Sequence, residues 1–409
     1  VKTLAESRQH PSAEFIEKIR NQYPIETEID RVLTRKMKLR SGDGYQGVSL
    51  ETMVEATKKL IGFYHGNHFK IDNIRWMTGG ASKIQMAFDF VSTITTDVFE
   101  KNLITPMVVR MEPAESVVET SRKREFEVLQ LLRNKIPVPP CYWLDAEAEF
   151  FPYPALIYGF VSGVVKPSQS SSKQVSGIGV TFGADLREKI ADQFVRHLAT
   201  LHSIPLETLS TLVSFEMPKV GSNDAVIKQL NWWRRVWEED KSEDIPLLDV
   251  AYHWLLDNAP AIERPSLVHG DYRSGNFLFD ESACNITAFL DWELALIGDR
   301  HQDLAWSTYK LFGQIDEDNK TFLACGLLPE EEFFACYETY SGLKVDRSRL
   351  HYYRILCNFM SVIHSLGSAH RVAKGSKTHQ DIVLLTFSKI GYFLLEQLRV
   401  HLSEVINAA

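Results

Sequence analysis

Three polar side chains in one region of this 409-residue chain have types and spacing suited to chemistry. The run LVHGDYRSGNFLFD (267–280) places Asn276 five residues after Asp271, and AFLDWELALIGDRHQDLAW (288–306) places Asp291 fifteen residues further on. Two carboxylates and a carboxamide are hard oxygen ligands of the kind Mg²⁺ takes. Phosphoryl transfer uses that metal together with a base beside the attacking hydroxyl. An Asp followed by four residues and an Asn can set both side chains in one loop, and an Asp closing the next strand can join them. Taken alone, the D-x-x-x-x-N spacing is equally that of a polar β-turn between two strands. His269 two residues ahead, the strand that follows and the second Asp arrive in order and argue for chemistry.

Other polar residues sit where a phosphate would need them. MTGGASKIQMAF (77–88) reads as a hairpin whose Gly79, Gly80 and Ser82 bring backbone N–H groups near phosphates, although Gly-Gly hairpin turns are common. Arg110 ends the apolar strand PMVV, and Glu125 follows fifteen residues later, early on a helix. A strand cation tethered by a helix carboxylate is a phosphate-positioning pair, or else an ordinary surface salt bridge.

The elements that must hold these residues are legible in outline. SAEFIEKIRNQY reads as an amphipathic helix, and RVLTRKMKLR (31–40), with five positive charges, as a solvated helix face. Ser49 reads as the N-cap of LETMVEATKKLIGFYHG, with Val48 and Met53 as a hydrophobic staple. FKIDNIRWM, IQMAFDFVSTI and LITPMVVRME are β-rich runs, ETSRKREFEVLQLLRNKI is a helix, and YPALIYGFVSG (153–163) is a further strand. A Ser/Gly/Lys-rich loop without periodicity continues to about residue 183. Beyond it the pattern is helical, interrupted by two short strands, NFLFD and ITAFLDW, that flank the chemical motifs. Trp232, Trp233 and Trp237 read as core.

Composition narrows the function classes. Hydrophobic content of 44% and charged content of 24% fit a globular chain with a sizeable core, and a net charge of −8 argues against a nucleic-acid or anionic-membrane partner. The five cysteines form no CxxC pair, which fits free thiols in a reducing cytoplasmic setting. The first residues lack the apolar run of a signal peptide, and no stretch is apolar enough to span a membrane.

Together these motifs resemble the aminoglycoside phosphotransferase and choline-kinase-like family, the phosphotransferase enzyme family of the protein-kinase-like superfamily. Within it they resemble the subgroup of kinase-like domains found with acyl-CoA dehydrogenases. The resemblance covers residues 50 to about 400 and is most specific at the two motif runs. It implies an α+β, two-lobed kinase-like fold: a small antiparallel β lobe with one helix, and a large, mainly helical lobe. A helical N-terminal extension (1–70) would lead into a small ATP-binding lobe (71–160), followed by a large lobe (161–409) carrying the catalytic and metal loops. ATP (or GTP) with Mg²⁺ would lie between the lobes. The resemblance gives Asp271 the role of base, and Asn276 and Asp291 that of metal ligands. Arg110 and Glu125 would position phosphates under the Gly79–Gly80–Ser82 turn, while the backbone at Gly159, Phe160 and Val161 would meet adenine. His269 and Asp303, with Asp299 behind them, would support the catalytic loop.

The sequence departs from the family pattern at Arg110, where most kinases have Lys. It departs also at Gly159, where many relatives carry an acidic residue, and at Arg300, where Pro is usual. The expected activity is transfer of the γ-phosphate to a small-molecule hydroxyl; the alternative is a non-catalytic nucleotide-binding pseudokinase or scaffold. A metal-dependent hydrolase would call for further ligands, typically His. The acidic runs EED (238–240) and EEE (330–332) could receive a polycationic aminoglycoside or be solvated faces, and a hydroxyacyl thioester or another metabolite alcohol is equally open as acceptor.

Overall fold

The computed structural model describes residues 4–40, 47–77, 83–168, 179–316, 318, 320–375 and 381–407. Four helices open the chain: α1 (Leu4–Gln9), α2 (Ala13–Gln22), α3 (Thr27–Arg40) and α4 (Leu50–His65). Ser12 caps α2 by accepting from the Phe15 N–H, and Ser49 caps α4 by accepting from the Thr52 N–H, each at 3.1 Å. Each cap satisfies a donor that a helix start leaves open. Met53 is buried in the small-lobe core, and Val48 packs against that same core, as the staple requires.

The small lobe is a five-stranded antiparallel sheet in the order β1-β2-β3-β5-β4. Its strands are β1 (Phe69–Trp76), β2 (Ile84–Ser92), β3 (Ile104–Met111), β4 (Cys141–Asp145) and β5 (Ala155–Gly159), with α5 (Arg122–Leu132) between β3 and β4 in the chain. Side chains alternate across a strand. Met86, Phe88 and Phe90 of β2 and Met107, Val109 and Met111 of β3 therefore share one face, which packs with Met53, Leu60 and Ile61 of α4. Arg110 takes the opposite face, beside Leu156, whose side chain belongs to the core continuous with the large lobe. The alternation of β3 thus aims Arg110 at the cleft.

The large lobe begins with α6 (Ala184–His202), α7 (Leu206–Leu209), α8 (Asp224–Asp240) and α9 (Pro246–Asp257). Four short strands follow, β6 (Ser266–Val268), β7 (Phe277–Asp280), β8 (Asn285–Phe289) and β9 (Leu296–Gly298), then α10 (His301–Ser307). A small sheet of β10 (Gln314–Ile315), β11 (Phe322–Ala324) and β12 (Leu328–Pro329) leads to α11 (Glu330–Ser341) and α12 (Arg347–Val362). A π-helical segment, Ile363–Ala369, continues into α13 (His370–Gly375), and α14 (Asp381–Ile406) completes the lobe. Trp232, Trp233 and Trp237 are buried in its core.

One expectation is corrected here. The basic run 31–40 is not a solvated face. Ile29 and Leu33 of α3 join the large-lobe core, and Lys36 and Arg40 are only 2% and 5% exposed. Lys36 lies 2.9 Å from Glu239, and Arg40 lies 2.7 Å from Asp240, at the end of α8. Those partners are far away in sequence, and the fold supplies the neutralisation that water was expected to provide.

Candidate active site

Two antiparallel pairings assemble the motif residues. In the β7–β8 hairpin Phe277 faces Phe289, so Asn276 and Leu290 lie just outside that pair, joined by the Leu290 N–H donating to Asn276 O at 2.8 Å. Asp291 follows at the mouth of the hairpin. In the β6–β9 pair Val268 faces Leu296, which lays the turn His269-Gly270-Asp271 against residues 291–295. Gly270 has φ +83°, and a Cβ there would sit 2.6 Å from Leu294 O. Only glycine passes both conditions.

The turn is braced from within. The Asp303 carboxylate on α10 accepts the His269 N–H at 2.7 Å and the Gly270 N–H at 2.9 Å. His269 Nδ1 accepts the Asp271 N–H at 3.1 Å, so Nε2 holds the proton that goes to Leu290 O at 3.0 Å. That imidazole ties the Asp271 loop to the Asp291 segment. Asp299 is held by His301 Nδ1 at 2.6 Å and Arg349 at 2.8 Å. Burial works against its charge, but these partners lower its pKa to about 2.

Asp271 Oδ1 accepts from Trp306 Nε1 at 2.6 Å and from Arg273 Nε at 2.7 Å. Its Oδ2 accepts from Asn276 Nδ2 at 2.6 Å. Because the amide nitrogen of Asn276 faces Asp271, its Oδ1 is the atom left to meet a cation. Asp291 adopts a left-handed backbone, φ +65°, which for a non-glycine residue costs roughly 1–3 kcal/mol. Its Oδ1 lies 2.5 Å from Arg110 Nη2.

Arg110 is the centre of a buried ionic cluster between the lobes. Glu125 is 3.5 Å away, whereas Glu293 is 3.0 Å away and Asp291 closer still. The Arg110–Glu125 pair is thus present but secondary. Glu125 pairs also with Arg122, which reaches Glu112 at 2.8 Å and Glu293 at 3.1 Å. Lys83, immediately before β2, lies 2.9 Å from Glu112 and 3.3 Å from Glu293. Burial opposes ionisation of Glu293, but Lys83, Arg110 and Arg122 outweigh it and hold the carboxyl well below its usual range. Sequence reasoning did not single out Lys83, Arg122, Glu293 or Arg273. The Glu of Asp-Trp-Glu was the one visible signal. His364, on the π-helical segment, faces Asp271, Glu293 and Arg273; burial lowers its pKa against the pull of the two carboxylates.

Gly79, Gly80 and Ser82 lie outside the described residues. The connecting strand departs from expectation. The Gly159 N–H donates to Pro140 O at 2.7 Å and the Phe160 N–H to Pro106 O at 2.9 Å, so neither amide is open to adenine. Val161 lies two residues beyond the end of β5. A Cβ at Gly159 would stand 2.8 Å from Pro140 Cγ, a physical reason for glycine rather than an acidic residue there.

The two acidic runs differ: the carboxylates of 238–240 are engaged by arginines inside the fold, whereas Glu331 and Glu332 of 330–332 are exposed on a solvated face. Glu238 pairs with Arg234 at 2.5 Å, Glu239 with Arg235 at 2.7 Å and Asp240 with Arg40 at 2.7 Å. Glu330 pairs with Arg354 at 2.6 Å and Glu331 with Arg347, leaving Glu332 exposed on the first turn of α11.

The residues present fit a magnesium nucleotide. Arg110 Nε is buried and has no hydrogen-bond partner among the described residues, a donor suited to a phosphate oxygen. Asn276 and Asp291 flank adjoining ends of the β7–β8 hairpin, and Mg²⁺ bound with phosphates needs only one or two protein carboxylates. Among the described residues no three His, Cys, Asp or Glu side chains form a metal-holding group, and no helix is long and apolar enough to cross a membrane.

Residues 95–324, more than half of the chain, match a family model described as the phosphotransferase enzyme family. The chain is 27% identical over 243 residues to the mouse (Mus musculus) acyl-CoA dehydrogenase family member 10, an alignment covering 56% of this chain and 21% of that protein. It is 24% identical over 292 residues to mouse family member 11, covering 68% of this chain and 35% of that protein. The chain thus spans well under half the length of these relatives. Among solved structures, a candidate aminoglycoside phosphotransferase of Ralstonia eutropha JMP134 superposes with a TM-score of 0.60 at 20% identity, covering 86% of this chain and 98% of that one. An ethanolamine kinase of Plasmodium vivax does so at 0.52 and 17%, covering 92% and 98%. At these identities the likeness establishes the two-lobed, kinase-like α+β fold.

Proposed function

The chain belongs to the phosphotransferase enzyme family, and from that premise we propose that it is an ATP- and Mg²⁺-dependent kinase of a small-molecule alcohol. The observation that carries this reading is the convergence of Asp271, Asn276 and Asp291 at the mouth of the β7–β8 hairpin, opposite Arg110. Asp271 orients and deprotonates the acceptor hydroxyl. Asn276 Oδ1 and the Asp291 carboxylate hold the metal, which neutralises phosphate charge when bound. Arg110 and Glu125 place the phosphates, and with the Gly159 and Phe160 amides engaged, Val161 is the residue of that segment left to meet the base. The engagement of the 238–240 carboxylates argues against that run receiving a polycation. Incubation of the purified protein with Mg·ATP and a panel of neutral and anionic alcohols tests the reading. Acceptor-dependent ADP release that disappears in Asp271→Asn supports it.

A second reading is a nucleotide-binding protein without turnover. It is favoured by Arg110 lying 2.5 Å from Asp291 and Arg273 Nε lying 2.7 Å from Asp271, contacts that compete with metal and with proton abstraction. Mg·ATP binding with no transfer to any alcohol, and none to water, selects it.

A further inference from the structure

The first forty residues precede the family-matched stretch, yet they touch the helix that carries Glu125. Ser121, buried, is the N-cap of α5: its hydroxyl oxygen accepts the Arg124 N–H at 3.3 Å. The same hydroxyl donates to the Glu28 carboxylate on the first turn of α3. Glu26, just ahead of α3, pairs with Arg124. Two carboxylates from outside the lobe thus stand at the N-terminus of α5, where the helix dipole favours negative charge. Burial raises the Glu28 pKa, but its hydrogen bonds with Arg31 and Ser121 outweigh that and lower it. The other side of α3 is fixed to the large lobe, where Lys36 and Arg40 meet Glu239 and Asp240. Glu125 closes the turn that Ser121 caps, its N–H donating to Ser121 O at 3.2 Å.

We propose that Glu28 is a positioning residue of the nucleotide site: anchored on the large lobe through α3, it fixes the first turn of α5 and so the reach of Glu125 to Arg110 and Arg122. This rests on the reading that Arg110 meets a nucleotide phosphate. A contact that merely filled space would leave nucleotide affinity alone. A contact that sets the pose of Glu125 changes affinity only while Glu125 is present.

The test uses the full chain, with Glu28→Ala, Glu28→Gln, Glu125→Ala and the Glu28→Ala/Glu125→Ala double variant. Calorimetry with Mg·ATP and hydrogen exchange of the α5 amides are the readouts. Glu28→Ala should weaken Mg·ATP binding about five- to tenfold, the scale of one charge-assisted hydrogen bond felt indirectly. It should also speed exchange in the first turn of α5 while α8 exchanges as in the parent. Glu28→Gln, which still accepts the Ser121 hydroxyl, should recover part of both. The double variant should bind no more weakly than Glu125→Ala alone. Unchanged affinity, full multiplication of the two losses, or equal loosening of α8 overturns the proposal. If the parent binds no Mg·ATP, the kinase reading fails separately. Faster α5 exchange in Glu28→Ala then still supports the clamp, and unchanged exchange overturns it.

Discussion

Asp271 and Asp291 are both carboxylates at one site, and their neighbours separate their duties. Asp271 is oriented by Trp306 and Arg273, neither a phosphate-side group in the proposed arrangement, and by Nδ2 of Asn276, whose Oδ1 is left for the metal. Asp271→Asn should keep Mg·ATP binding and remove turnover, because it deletes the proposed base and not the proposed metal ligands. Single-turnover rates within about tenfold of the parent would contradict that role. Asp291 instead faces Arg110, so Asp291→Ala removes the proposed metal oxygen and frees the guanidinium together. Mg·ATP affinity should fall by roughly tenfold or more, and unchanged calorimetric affinity would place the metal elsewhere. Arg110→Lys tests the departure from the usual lysine. A lysine cannot span Asp291, Glu293 and Glu125 with one planar fork. Losing one charge-assisted hydrogen bond costs about 1.5–3 kcal/mol, or roughly ten- to a hundredfold in catalytic efficiency. A variant as active as the parent would show that Arg110 does not meet the phosphates.

Elements place these residues, and the turn after β6 leaves no room for a side chain at Gly270. Gly270→Ala should destabilise the protein by about 2 kcal/mol and lower turnover further than stability alone explains, since relief of the Leu294 contact must move Asp271. Urea unfolding and turnover measured together check this, and an unperturbed variant would mean the loop relaxes freely. The same elements show what the sequence can reveal. The β-rich runs of β2 and β3, the cap at Ser49 and the order of Asp271, Asn276 and Asp291 are local signals, and each was readable. β6 and β9 are three residues each, too short to display a period. The burial of Lys36 was invisible because its partner Asp240 lies 204 residues away. Lys83, Arg122 and Glu293 look like ordinary surface charges until the sheet and the 291–293 segment meet. The engaged amides of Gly159 and Phe160 depend on Pro140 and Pro106, contacts no single-strand pattern encodes.

At the scale of the whole molecule, Asp240 is the residue on which separate parts of the chain converge. It lies 2.7 Å from Arg40 and 3.3 Å from Lys36 on α3, and 2.9 Å from Arg371 on α13. Ser368 Oγ donates to it at 2.8 Å. Arg371 continues to Glu115 and to Ser116 O at 3.2 Å, in the small-lobe loop after β3. One buried carboxylate therefore joins the N-terminal helices, the large lobe and, through Arg371, the small lobe. Burial works to raise its pKa, yet Arg371, Lys36 and Arg40 outweigh that and hold it well below the usual range. A carboxyl depressed in the folded state contributes stability above its unfolded value of about 4, and that contribution is lost as pH falls below it. Asp240→Asn leaves three cations facing an uncharged amide in a buried site. Removing one side of a buried ion pair costs about 3–5 kcal/mol, far more than a surface pair is worth. The variant should therefore unfold at lower urea at pH 7 and lose less further stability than the parent as pH falls below about 4. A urea midpoint equal to that of the parent, with the same acid slope, would mean that Lys36, Arg40 and Arg371 are solvated and that α3 is not held against the large lobe.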